Sequence, residues 1–190
     1  MASGLPPCNR HIATHDANGK SVYAEHKDQT FGPVGDAGFF ARSWSVANIP
    51  AKLDNDEDMK AYFAGPESVT SFQRPEIVVP PEGGKNNGAN LVVVDLNPGK
   101  CSVMHQTVSI DYSICVIGTI IHELDSGERV TLKPGDHIVQ RGTNHRWINA
   151  SKTEPARFVA VTLPCVPFDI AGKQLEEVHL PDPKGYEPKL

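Results

Sequence analysis

Between residues 91 and 163 the chain reads as eight short β-type runs in succession, with no helical segment between them. The runs are 91–96, 102–109, 112–117, 119–124, 129–132, 137–140, 146–149 and 157–163. Asn97-Pro98-Gly99, Gly118, Asp125-Ser126-Gly127 and Lys133-Pro134-Gly135-Asp136 punctuate them as turns. Parallel strands need long crossover connections, so strands only a few residues apart run antiparallel. That many short antiparallel strands resolve their edges by closing or by folding into two sheets, which makes the expected fold class all-β, an antiparallel barrel or jelly roll.

A length of 190 residues suits one domain with arms rather than two cores. We read residues 1–90 as an N-terminal arm with edge strands and a short helix packed on the barrel, 91–165 as the barrel core and 166–190 as a C-terminal tail. Runs 10–15 and 20–24 flank Asp16-Ala17-Asn18-Gly19, a hairpin signature. A further strand is expected over 39–46. Asp54, Asn55 and Asp56 offer N-caps for a helix over 54–63 that Gly65-Pro66 ends. Residues 80–90 read as an exposed loop. The tail, rich in proline and charge, is expected to drape over the barrel or another subunit, and the N-terminal hairpin leads us to expect a homodimer.

A formal charge of -5 with no basic stripe argues against nucleic acid as a partner. No apolar run nears the roughly 20 residues that span a bilayer, so no membrane partner is expected. The segment MASGLPPCNR has no apolar signal core, and the expected location is the cytoplasm. There the well-separated Cys8, Cys101, Cys115 and Cys165 are expected as free thiols, with no C-x-x-C pair to make a zinc ribbon or redox motif. Asn149-Ala150-Ser151 fits a glycosylation acceptor, a reading that fails without secretion.

Two segments carry the chemistry. The first is Gly99-x5-His105-x-Thr107-x3-Asp111-x6-Gly118; the second runs from Gly135 to Asn149 and contains Gly142, His145, Trp147 and Asn149. Strand side chains alternate faces, so His105 and Thr107 point one way, Asp111, Ser113 and Cys115 share a face, and so do His145, Trp147 and Asn149. If these faces are the barrel interior, imidazole and carboxylate groups converge on one cavity, and antiparallel pairing can set His145 beside His105. Two imidazoles with a carboxylate suffice for a facial metal site.

These segments resemble the two linked motifs of the cupin superfamily, over residues 97–163, about a third of the chain. A looser likeness is to a bacterial and fungal cupin group with MH-x-T-x-S-x-DY followed by VQRGT-x-H-x-W-x-N, here Met104 to Tyr112 and Val139 to Asn149. Gln140 stands where many cupins carry proline, and the stretch from Gly135 to Gly142 is one residue shorter than the common form. The resemblance implies a cupin double-stranded β-helix and a ligand set of three histidines and a glutamate for iron, manganese, nickel, copper or zinc. His105, Asp111 and His145 correspond to three of the four. Thr107 replaces a histidine with a neutral hydroxyl, a poor ligand, and Asp111 is one methylene shorter than glutamate.

The catalytic residues expected are therefore His105, Asp111 and His145, either holding a divalent metal (Fe, Zn, Mn or Ni) or acting directly as acid and base. No nucleotide or flavin cofactor is expected. Thr107, Ser113, Gln140, Trp147 and Asn149 are the expected substrate-binding residues, Trp147 as a wall for a planar molecule. Gln140 and Arg141 are read at the pocket mouth, where an arginine attracts carboxylates, with a surface ion pair as the alternative for Arg141. Tyr112 reads as packing and Cys115 as a core thiol. His122 and His137 fall outside the motif positions and read as exposed or packing residues. The expected function is a small-molecule enzyme performing lyase or isomerase chemistry (dehydration, decarboxylation or tautomerisation) on an oxygenated carbonyl compound, with a biosynthetic tailoring role by association. The alternatives are a non-haem metal-dependent dioxygenase and a non-catalytic ligand-binding module.

Overall fold

The computed structural model describes residues 4–74, 76–78, 87–182 and 186–190. Eight strands make the barrel: β5 (Ala89–Leu96), β6 (Met104–Gln106), β7 (Ser109–Ile117), β8 (Ile120–Leu124), β9 (Arg129–Leu132), β10 (His137–Arg141), β11 (His145–Asn149) and β12 (Ala156–Pro164). Before them come β1 (Ala13–His15), β2 (Ser21–Tyr23), β3 (Gly32–Val34), β4 (Gly38–Val46) and α1 (Glu57–Phe63). After them come β13 (Asp169–Ile170), β14 (Lys173–Gln174) and β15 (Val178–Leu180). One sheet has the order β10-β7-β12-β5-β4-β3 and the other β15-β6-β11-β8-β9. Consecutive barrel strands thus alternate between sheets except at β8 and β9, which is the jelly-roll arrangement, and every pairing is antiparallel.

Turn chemistry explains the joints. The Lys100 amide donates to the Asn97 carbonyl and the Asp136 amide to that of Lys133, closing two Pro-Gly turns with Gly99 at φ 66 and Gly135 at φ 98. Such a turn needs positive φ after proline, which glycine accepts without strain. The run read as one strand over 102–109 is broken instead: β6 ends at Gln106, and Ser109 opens β7 on the facing sheet. Thr107 and Val108 make that corner.

The apolar core clusters at Val92, Leu96, Cys115, Ile120, Trp147 and Phe158. On β7 the usual alternation is inverted: Ser109, Asp111, Ser113 and Cys115 are buried, while Tyr112, Ile114 and Val116 face outward, about two-fifths exposed. A sheet that turns its polar positions inward encloses something other than a dry core.

β4 widens the first sheet by pairing along β5, and Pro33 on edge strand β3 removes a ladder donor. On β4 sits α1, whose Tyr62 is fully buried, 4.5 Å from the Trp44 ring, and donates its hydroxyl to the Arg42 carbonyl at 2.5 Å. Arg10 lies over the Tyr62 ring at 5.2 Å. The helix expected over 54–63 is split. Asp54–Asp56 form a 3-10 turn, and α1 begins only at Glu57, because Asn55 and Asp56 take left-handed φ of 53° and 55°. Of the loop read over 80–90, residues 80–86 lie outside the described residues, and Ala89 and Asn90 belong to β5. Among the described residues, no helix is long and apolar enough to cross a membrane, and all four cysteines are free thiols.

Candidate functional site

β6 and β11 meet in register at a single pair, His105 opposite His145, so both rings project from one face with their centroids 4.3 Å apart. Each is oriented in the same way: His105 Nδ1 lies 3.0 Å from the Val103 carbonyl and His145 Nδ1 3.0 Å from that of Thr143. A carbonyl only accepts, so Nδ1 carries the proton and the neutral ring keeps its lone pair on Nε2. Burial, and next the His105 ring, push His145 down to about 3. Burial likewise lowers His105. Near neutral pH both are uncharged bases.

The facing wall is β7. Asp111 lies between Gln140 and Thr162 in register and is 6% exposed. Its Oδ1 is buried with no hydrogen-bond partner among the described residues. Burial raises the carboxyl to about 6 against the opposing Ser109 hydrogen bond. Thr107 and Ser109 share a 2.6 Å hydroxyl contact. A cavity of about 860 Å³ is lined by His105, Thr107, Asp111, Ser113, His145 and Trp147 among others. Trp147 is stacked on Phe158 at 4.4 Å, which gives the cavity an aromatic wall. The tail reaches the same cavity: β15 pairs with β6, and Asp182 and Tyr186 line the opening, tethered by an Asp182–Arg146 ion pair of 2.8 Å and by Arg146 lying 4.4 Å over the Tyr186 ring.

Two expected substrate contacts are not on this wall. Asn149 is fully buried, but its amide donates to the carbonyls of Leu96, Asn97 and Glu154 while its oxygen accepts from the Ser151 amide. It fastens loops at the barrel end. Gln140 accepts from His122 Nε2 at 2.9 Å and donates to the Thr143 carbonyl at 2.9 Å. It orients histidines instead of facing the cavity. Arg141, expected at the mouth, is exposed and off the cavity wall.

Two further histidines adjoin the pair, His122 as a buried packing residue off the cavity wall and His179 from the tail. His122, read as exposed or simple packing, is 4% exposed and lies 5.3 Å from the His145 ring, because β8 pairs with β11 so that His122 stands opposite Trp147. The Gln140 bond fixes its proton on Nε2. His179 stands opposite His105 in the β15–β6 register and stacks on its ring at 5.7 Å. Only the inter-strand register announces these two, and neither motif contains it. His137 is exposed, and Cys115 belongs to the apolar core, its thiol raised by burial.

The divalent metal implied by the resemblance needs donors that converge on one point. His105 and His145 supply two bare Nε2 atoms, but Asp111 projects from the other sheet and the Thr107 hydroxyl is engaged with Ser109. Among the described residues no three His, Cys, Asp or Glu side chains gather closely enough to hold an ion. Among the described residues, His105, Asp111 and His145 share a cavity without forming a metal donor set.

No family model matches the chain. It is 39% identical over 169 residues to phomopsin biosynthesis cluster protein C' of Diaporthe leptostromiformis, covering 88% of this chain and 84% of that protein. It is 31% identical over 184 residues to a cupin-domain-containing oxidoreductase of Aspergillus ruber, covering 92% and 81%. Among solved structures, a conserved protein with a double-stranded β-helix domain from Klebsiella pneumoniae overlaps half of this chain and 76% of that one at 23% identity, with a TM-score of 0.40. With similarity to cupin-domain-containing proteins running along 92% of its length, the chain belongs to the cupin superfamily.

Proposed function

We propose that this protein is an enzyme of secondary metabolism that moves protons on an oxygenated carbonyl compound, in a dehydration, decarboxylation or tautomerisation. The observation that carries the reading is that one cavity brings two neutral, backbone-tethered imidazoles to face a buried carboxyl that titrates near 6. The relatives named for phomopsin and oryzines biosynthesis clusters support the metabolic setting.

With Nδ1–H held by a carbonyl, His105 and His145 offer only the basic Nε2, so they accept protons. Among the described buried groups lining the cavity, Asp111, protonated below about 6, is the available acid, since Asp95 is ion-paired with Arg157. A ring nitrogen removes the proton beside the substrate carbonyl and Asp111 gives one to the carbonyl oxygen, leaving the enol. General acid-base catalysis of this kind contributes roughly 10² to 10⁴ in rate. In heavy water, the wild-type protein is expected to catalyse deuterium uptake beside the carbonyl of hydroxylated acetophenones. His105→Ala and His145→Ala should each slow uptake by about 10² or more. Uptake at the wild-type rate in both variants overturns the reading.

The name cupin-domain-containing oxidoreductase, carried by the Aspergillus ruber and Neurospora crassa relatives, favours a second reading in which this cavity hosts an oxidation. Excluding dioxygen separates the two: proton transfer continues without it, and an oxygen-dependent oxidation stops.

A further inference from the structure

We propose that the cavity selects a neutral, flat, hydroxylated carbonyl compound, a phenolic ketone or aldehyde, and refuses carboxylates. The inference deepens the proposed function and takes the same cavity as the site.

It follows from which polar groups are present and which are missing. His105 and His145 direct Nδ1–H into the backbone, so what they offer a ligand is two adjacent lone pairs, with ring centroids 4.3 Å apart. Two neighbouring acceptors buried from water require donors, and unmatched buried acceptors cost about 1–3 kcal/mol each. On the facing strand Asp111 leaves Oδ1 without a partner. When ionised it is a third acceptor; when protonated it donates to a carbonyl. Thr107 and Ser113 add only hydroxyls. Among the described residues, nothing in the buried lining is a Lys or Arg cation.

Apart from Asp111, the charged side chains among the described cavity-lining residues are ion-paired or exposed to solvent. Asp95 is held by Arg157 at 2.5 Å, and Lys100 by Asp36 at 2.9 Å on the exposed rim. Asp182 is held by Arg146. Lys152 and Glu187 are exposed. A carboxylate brought to the imidazoles would therefore lose its water, find no buried Lys or Arg, and meet Asp111 as a like charge. The stacked Trp147 and Phe158 rings suit a planar frame, and a volume of about 860 Å³ admits one with substituents.

Isothermal titration near neutral pH with three probes of one frame tests this: a dihydroxyacetophenone, its dimethyl ether and the matching dihydroxybenzoate. The diol is expected to bind at least about tenfold more tightly than either of the others, the effect of leaving the imidazole pair unmatched or burying an unpaired charge. In the His105→Ala/His145→Ala double variant the preference for diol over ether should fall below about threefold, with His137→Ala, at an exposed position off the cavity wall, as a control that keeps it. A smaller wild-type ratio, tighter binding of the benzoate, or no binding of the diol overturns the proposal. Selective binding of the diol without deuterium exchange would refute the proton-transfer function while leaving this inference standing. Exchange without selectivity would do the reverse.

Discussion

Asp111 is carried inward by a strand whose polar alternation is reversed, and its buried carboxyl prefers the proton. Its value is raised from 3.8 to about 6 by burial. The folded state therefore binds this proton more tightly than the unfolded chain does. The stabilisation it brings is complete below about 3.8 and is lost as pH rises through about 6. Asp111→Asn, which keeps the shape without the charge, is expected to leave stability unchanged at pH 4 and to raise it at pH 8 by up to about 3 kcal/mol. Denaturant titration at the two pH values measures this; an equal gain at both would show that charge is not the cause. The rate should also decline as pH rises through about 6, where Asp111 stops being an acid. His145, pushed down to about 3, adds no limb in that range. The motif spacing made His105, Asp111 and His145 legible as a group. That Asp111 stands across the cavity was not, because the turn at Thr107 and Val108 that moves the chain between sheets lies inside what reads as an unbroken β run.

At the scale of elements, the site depends on β15. This three-residue strand carries His179 to the His105 ring and leads into Asp182 and Tyr186, which line the opening. Nothing in the tail predicted it: three residues show no periodicity, and Pro181 follows directly. Most of the barrel strands were readable, by contrast, since they lie beside local turn signals that work without tertiary context; the corner between β6 and β7 has none. His122 needed long-range register as well, the pairing of β8 with β11. A chain shortened to end at residue 177 is expected to keep the barrel, whose core cluster lies wholly before residue 161, and to bind the diol at least about tenfold more weakly for want of the covering wall. Circular dichroism and titration together check this, and unchanged affinity would remove the tail from the site.

On the scale of the whole molecule, the N-terminal arm and the barrel are joined through Arg157. Its guanidinium grips Asp95 with two bonds of 2.5 and 2.8 Å, donates to the Pro6 carbonyl at 2.9 Å, and lies 5.7 Å over the Phe31 ring. Arg157→Ala removes two charge-assisted bonds to the fully buried Asp95 carboxylate and is expected to cost about 3–5 kcal/mol, whereas exposed Arg141→Ala should cost under about 0.5. Thermal denaturation of both variants gives the comparison. The single His105–His145 register pair has an evolutionary consequence. Because neighbouring residues on a strand face opposite ways, gaining or losing one codon between residues 99 and 104 would rotate the imidazole at 105 out of the chamber while the other seven strands kept their neighbours. Such an indel is expected to silence the site, so for function the length of this short connection matters more than the identity of its residues.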